Sequence, residues 1–235
     1  TAPYGQERGI VRQPVDCAPC LLRECPIDHR CMTGVTVDMV YEAGLSSLSG
    51  RGGRSSIDQA ERTDILSGVT IFLDRDGTLN PDPGYISSPE QFDLFPGVAS
   101  ALARLTHAGA RLVVVTNQSG VGRGLFSLED LDRIHAKLRG VAGAAGVSFA
   151  GIYVCLHHPD ERCHCRKPET GMVEQAVREL GIDLSRSYLI GDHVKDMELA
   201  RRVGAKRIRV MTGEGGVEAE TEPGDAAVVV AASLD

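Results

Sequence analysis

Short, almost continuously apolar runs alternate with amphipathic stretches over the last two thirds of the chain. The runs are Val69–Leu73, Arg111–Val115, Ile152–Cys155, Tyr188–Ile190, Arg207–Val210 and Ala227–Val230. They are brief and rich in β-branched residues, the pattern of strands covered on both faces. Between them, apolar residues recur at helical spacing. Val98, Ala101, Leu102 and Leu105 form one stripe; Leu128, Leu131, Ile134, Leu138 and Val141 a second; Val173, Ala176, Val177 and Leu180 a third. Ser127 followed by Asp130 has the spacing of a capping start, and Gly109 and Gly181 stand where helices should stop. The alternation predicts an α/β fold, a doubly wound (Rossmann-like) parallel sheet with helices on both faces and right-handed crossovers. No internal repeat is present, and the helix stripes read as core alone.

Residues 1–45 lack this periodicity and are rich in Cys, Pro and Arg, while Ser46 to Ser56 has the composition of a flexible linker. The expected organisation is a Cys-rich tail (1–45), a linker (46–67) and one folded domain (68–235). Cys17, Cys20, Cys25 and Cys31, with His29 among them, offer a possible metal site whose spacing is not that of a standard finger. A disulfide there is disfavoured in a reducing compartment. The first residue is Thr, and the chain is expected to be part of something longer.

A net charge of −7, no Trp and no basic stripe with interleaved aromatics argue against a nucleic-acid or anionic-membrane partner. No apolar run approaches the ~20 residues of a membrane span, and no signal-peptide pattern opens the chain. A cytoplasmic monomer acting on a small molecule is the expectation.

The candidate chemistry sits at strand ends. Asp74-Arg-Asp76-Gly-Thr78 follows the first run, and two acids two residues apart on an extended segment face the same way. At the carboxyl edge of a parallel sheet, where ligands bind, such a pair can hold a hard cation and divide attack from proton handling. Thr116, Asn117, Gln118 and Ser119 end the second run and supply neutral donors suited to phosphate oxygens; Arg123, in the glycine-rich continuation, is a further anion candidate. Arg166-Lys167-Pro168 places two cations in an extended loop. Gly191-Asp192-His193-Val-Lys195-Asp196 puts a third acid at a strand end and a fourth one helical turn on. Asp192 can complete a cation site with Asp74 and Asp76, and Asp196 is placed to hold Lys167 or a metal-bound water.

Cys155-Leu-His157-His158-Pro-Asp-Glu-Arg-Cys163-His164-Cys165 has the spacing of a closed tetrahedral zinc site, with three thiolates and one of His157, His158 or His164. Because Cys165 directly precedes Arg166 and Lys167, zinc there would aim both cations.

Four strand-end motifs in this order resemble the haloacid dehalogenase superfamily of phosphotransferases, matched at Asp74-x-Asp76-Gly-Thr78, Thr116, Lys167 and Gly191-Asp192-x-x-x-Asp196. The resemblance implies Asp74 as nucleophile forming an aspartyl-phosphate, and Asp76 as acid then base. It also implies Mg2+ held by Asp74, the Asp76 backbone carbonyl and Asp192. With the cysteine loop and Asp82-Pro83-Gly84-Tyr85 included, the chain resembles the D-glycero-D-manno-heptose 1,7-bisphosphate 7-phosphatases of nucleotide-activated heptose synthesis. That family implies zinc on Cys155, His157, Cys163 and Cys165. It also implies substrate contacts at Asp82, Pro83, Gly84, Tyr85, Asn117, Gln118, Ser119 and Arg166, around a site with no large cap domain. His193 departs from the lysine often found after that aspartate. Histidinol-phosphate phosphatases share the motif set, and a non-enzymatic metal-binding module is the reading from another class. Val15 to Leu45 resembles the carboxyl-terminal tail of lipopolysaccharide heptosyltransferases, which implies lipopolysaccharide-core synthesis and, more weakly, the β-anomer.

Overall fold

The computed structural model describes residues 64–210 and 212. The expected strand Ala227–Val230, the cysteine-rich tail and most of the linker lie outside them. Five parallel strands, β1 (Thr70–Leu73), β2 (Arg111–Asn117), β3 (Phe149–Cys155), β4 (Ser187–Gly191) and β5 (Lys206–Arg209), lie in the order β3-β2-β1-β4-β5. All five match expected runs. The helices are α1 (Val98–His107), a single turn α2 (Ser119–Gly122), α3 (Leu128–Ala144), α4 (Gly171–Leu180) and α5 (Val194–Val203).

The central strand β1 pairs on both edges, Leu73 lying beside Val114 of β2 and Ile190 of β4. Every residue of β1 is buried, because helices cover both faces. Alternation sends Ile71, Leu73, Leu112 and Val114 into one core with Leu102 of α1 and Ile134, Leu138 and Ala142 of α3. Phe72, Val113, Val115 and Leu189 enter the other, with Met172, Val173 and Ala176 of α4 and Leu199 and Ala200 of α5. Each fully buried Leu, Val or Phe side chain contributes roughly 1.5–3 kcal/mol relative to exposure.

Two details depart from expectation. Leu66 is buried in the first core and donates its N–H to the Ala108 carbonyl at 2.7 Å, so packing begins within the stretch expected to be linker. On α3, Leu128 and Val141 are exposed and Ala142 is buried. At ~100° per residue, Val141 lies about 80° around the helix from Leu131 and Ala142 only about 20°. The helix ends follow the sequence more closely. Ser127 and Asp130 form the reciprocal cap of α3, and Gly181 adopts φ +62° at the end of α4.

Candidate active site

The carboxyl ends of β1, β2 and β4, with the loop before α4, enclose a pocket of about 190 Å³. That volume suits a phosphoryl group with its immediate ligands, leaving the rest of a substrate at the mouth. Asp74 follows β1 directly, and its N–H continues the ladder to the Ile190 carbonyl at 2.9 Å. Its Oδ1 accepts from the Arg75 N–H at 2.7 Å, which fixes the carboxylate at the strand end.

Lys167 is the central cation. Its Nζ lies 2.7 Å from Asp74 Oδ1 and 2.7 Å from Asp196 Oδ1, and its side chain is only 4% exposed. Both contacts are ion pairs at hydrogen-bond distance, so charge and proximity hold the trio. Burial alone would lower the affinity of Lys167 for its proton, but Asp196 and Asp74 outweigh it and the ammonium is held more firmly than usual. Asp192 adds a third carboxylate, receiving the Thr78 hydroxyl at 3.3 Å. Oxygens of Asp74, Asp192 and Asp196 all lie within 4.8 Å of one another. Burial, reinforced by Asp196, raises the pKa of both Asp74 and Asp192, that of Asp74 to about 8.

Three buried acids facing one ammonium form a site short of positive charge. Hard oxygen donors of this kind fit Mg2+, and here the donor chemistry and the charge imbalance agree.

The Asp76 carboxylate is engaged elsewhere, contrary to the expectation that it would join Asp74 and Asp192. Arg75 grips both of its oxygens, Nε to Oδ1 at 2.9 Å and Nη2 to Oδ2 at 2.8 Å. Asn80 Nδ2 donates to Oδ1 at 2.9 Å and Gln118 Nε2 to Oδ2 at 2.7 Å. Burial would raise its pKa, but the Arg75 charge and these donors outweigh it and hold the carboxylate ionised.

The β2 loop divides its expected roles. Thr116 is buried with Oγ1 accepting from Gln118 Nε2 at 2.9 Å, which leaves its hydroxyl hydrogen available. Asn117 and Gln118 line the pocket, but the Asn117 amide is spent on the Lys167 backbone: its Oδ1 accepts from Lys167 N–H at 3.0 Å and its Nδ2 reaches Lys167 O at 3.3 Å. The Gln118 amide is likewise spent on Asp76 and Thr116. Ser119, Asp82, Gly84, Tyr85 and Arg166 line the pocket, with His193 and Lys195. Pro83 and Arg123 are exposed and outside the lining. Asp82 also shapes its loop, accepting from Gly84 N–H at 2.8 Å. Buried Nη1 of Arg166 has no hydrogen-bond partner among the described residues. His193 caps α5, its ring accepting from Lys195 N–H at 3.0 Å.

Beside the pocket, Cys155, His157, Cys163 and Cys165 converge with ligand atoms within 4.8 Å of one another. Cys163 Sγ lies 3.5 Å from Sγ of both Cys155 and Cys165, and His157 Nδ1 lies 3.1 Å from Cys165 Sγ. Tetrahedral zinc with ~2.3 Å Zn–S bonds would set sulfurs about 3.8 Å apart, so this donor set could hold zinc. The other two histidines have different work. His158 Nδ1 caps a turn by accepting from Asp160 N–H at 3.3 Å, and His164 Nε2 pairs with Glu174 at 3.0 Å. The loop packs on α2: a Cβ added at Gly122 would lie 2.5 Å from the Leu156 carbonyl oxygen and 2.7 Å from His158 N.

Arg75, Asn80 and His135 were invisible as site residues in the sequence. Period-two alternation sends Arg75 away from its flanking acids, whereas the turn after β1 folds its side chain back onto Asp76. His135 stands next to Ile134, beside a stripe read as core.

Comparison with known proteins places the chain among relatives. The HAD-hydrolase-like family model matches residues 164–235. D-glycero-beta-D-manno-heptose-1,7-bisphosphate 7-phosphatase of Yersinia pestis is 44% identical over 153 residues, 61% of this chain and 81% of the relative. The protein of the same name from Pseudomonas aeruginosa is 40% identical over 151 residues, covering 64% and 85%. Among solved structures, D,D-heptose 1,7-bisphosphate phosphatase from B. bronchiseptica, complexed with magnesium and phosphate, superimposes with a TM-score of 0.63. It is 36% identical, covering 68% of this chain and 90% of that one.

Proposed function

Because the chain belongs to the D-glycero-beta-D-manno-heptose-1,7-bisphosphate 7-phosphatase family of HAD-like phosphatases, we propose that it removes the 7-phosphate of that bisphosphate and leaves the anomeric phosphate in place. The observation that carries the reading is the buried Lys167 ammonium shared between Asp74 and Asp196 at the strand-end pocket. A carboxylate held beside a fixed cation, in a cavity of phosphoryl size, is a nucleophile set against its target.

In the proposed reaction, Asp74 Oδ attacks phosphorus as the bond from phosphorus to the sugar oxygen breaks. The leaving alkoxide takes a proton from Asp76. The aspartyl-phosphate is then attacked by water, whose proton returns to Asp76, and inorganic phosphate is released. Asp76 is ionised in the free protein, so it must take up a proton as the anionic substrate arrives. Lys167 and the Thr116 hydroxyl offset charge on the equatorial oxygens. Mg2+ held by Asp74, the Asp76 backbone carbonyl and Asp192 would supply the positive charge that the buried acids lack. The zinc loop would hold Arg166 and Lys167 in place.

The cationic part of the pocket lining favours a bisphosphate over histidinol phosphate. Arg166 and Lys195 both belong to it. Such cations attract a second phosphate and repel the ammonium of histidinol phosphate. The reading takes residues 68–235 as the catalytic domain, behind the linker and tail. The proposed acting unit is a monomer. No helix among the described residues is long and apolar enough to cross a membrane, and the proposed location is the cytoplasm.

Phosphate release from the β- and α-anomers of the bisphosphate and from histidinol phosphate, compared side by side with Mg2+, tests the assignment. The β-anomer should be fastest, and Asp74→Asn should abolish release while the fold persists. A faster rate on histidinol phosphate would overturn the substrate, and an active Asp74→Asn the nucleophile.

A further inference from the structure

Asp76 is gripped by a residue that takes no part in the steps above. Arg75 heads the fully buried side chains, with no solvent exposure. A buried guanidinium is costly unless its donors are met. Nε and Nη2 are met by the two Asp76 oxygens, and Nη1 lies 3.2 Å from His135 Nε2, on a helix sixty residues away. Phe92 closes the remaining side, its ring centroid 5.9 Å from Arg75 Cζ. His135 is itself buried, and burial together with the Arg75 charge pushes its pKa down to about 3. The imidazole is therefore neutral, and a neutral ring can accept from Nη1.

The grip has a geometric consequence. Asn80 and Gln118 each hold one Asp76 oxygen, so Arg75 alone among the described side chains spans both. With its third arm anchored, the guanidinium plane is fixed and so is the plane of the carboxylate it holds. Without that anchor the guanidinium can swing, taking the carboxylate with it. Proton transfer needs heavy atoms within roughly 2.6–3.2 Å, so small displacements count.

We propose that His135 is a positioning residue for the leaving-group proton: by anchoring Arg75 it aims the Asp76 carboxyl at the scissile oxygen. The inference rests on the reading of Asp76 as the acid. It requires no new chemical step, since the proton still passes from Asp76 to the departing alkoxide.

The test compares kcat/KM on the heptose bisphosphate, whose alkoxide needs a proton, with p-nitrophenyl phosphate, whose phenolate departs without one. This parameter covers events only up to transfer of the phosphoryl group to Asp74. His135→Leu should lower kcat/KM on the sugar phosphate by about tenfold or more and on the aryl phosphate by less than about threefold. His135→Gln, which keeps an acceptor, should restore most of the loss. Equal losses on both substrates, or none, would overturn the proposal, because a merely structural role does not distinguish leaving groups. If His135→Leu does not fold, Arg75→Lys, which keeps the charge but not the three-armed geometry, must show the same bias. Asp76→Asn separates the two levels. If it lacks the leaving-group bias, the acid assignment itself fails. If it shows the bias and the His135 and Arg75 variants do not, only the positioning role falls.

Discussion

Replacing Lys167 with Met removes one positive charge while keeping most of the side chain's volume. The ammonium sits 2.7 Å from Asp74 and from Asp196. At an effective dielectric of about 20, each contact is worth about 6 kcal/mol in gross attraction, most of it offset by the cost of burying the charges. Breaking such a buried cluster from one side costs about 3–5 kcal/mol. Against a total stability of about 5–15 kcal/mol, that should lower the melting temperature by roughly 6–20 °C. The loss should depend on pH. Asp74 has its pKa raised from 3.8 to about 8, so the folded protein retains a proton that the unfolded chain gives up. Stability from that proton is present below about pH 4 and is lost as the pH climbs through about 8. Without Lys167 the carboxylates repel more strongly, and the variant should melt lower at pH 8 than at pH 5.5 by a wider margin than the parent protein. Added Mg2+ should recover part of the deficit at pH 8 through binding to the folded form. Turnover should fall by about 10²–10³, the usual cost of removing one preorganised electrostatic contact. Melting curves at the two pH values, with and without Mg2+, and steady-state rates check this. Equal melting behaviour of parent and variant at both pH values, with turnover within about threefold, would refute the argument.

Two further substitutions probe the ion sites. Cys163→Ser should lose zinc by elemental analysis, speed amide exchange across 163–168 and lower kcat by about tenfold; bound zinc and unchanged kinetics would dismiss the clamp. Gly77→Ala should raise the Mg2+ concentration needed for half-maximal activity by about tenfold, because φ is +78° and the new Cβ would lie 2.5 Å from Asp192 Oδ2. An unchanged Mg2+ titration would show that Asp192 has room to move and that its placement is not critical.

Much of the architecture was legible because buried parallel strands announce themselves as apolar runs, and all five described strands arose from such runs. The meeting of Asp74 and Asp192 was legible for a related reason: strand ends share one sheet edge, so polar residues placed there meet; Lys167 joins them from the loop before α4 and Asp196 from the first turn of α5. What stayed hidden depends on side-chain direction beyond the regular elements. Alternation cannot foresee that Arg75 turns back onto its neighbour, or that Asn117 spends its amide on the Lys167 backbone. The choice of His157 over His158 and His164 likewise depends on loop course, because all three have ligand-compatible spacing. His135 could not be separated from the apolar stripe beside it, since neutral imidazole and aliphatic side chains both suit a buried helix face.

Gly122 bears on how this protein can be re-engineered. With no side chain to separate them, the single turn after β2 and the cysteine loop interlock backbone against backbone. Neither can be exchanged for a relative's version alone: a graft of one that brings any bulk to this seam would prise the other outward, and Asn117 would carry the strain to the Lys167 main chain. The two segments make one transplantable unit, and chimeras should be cut outside both.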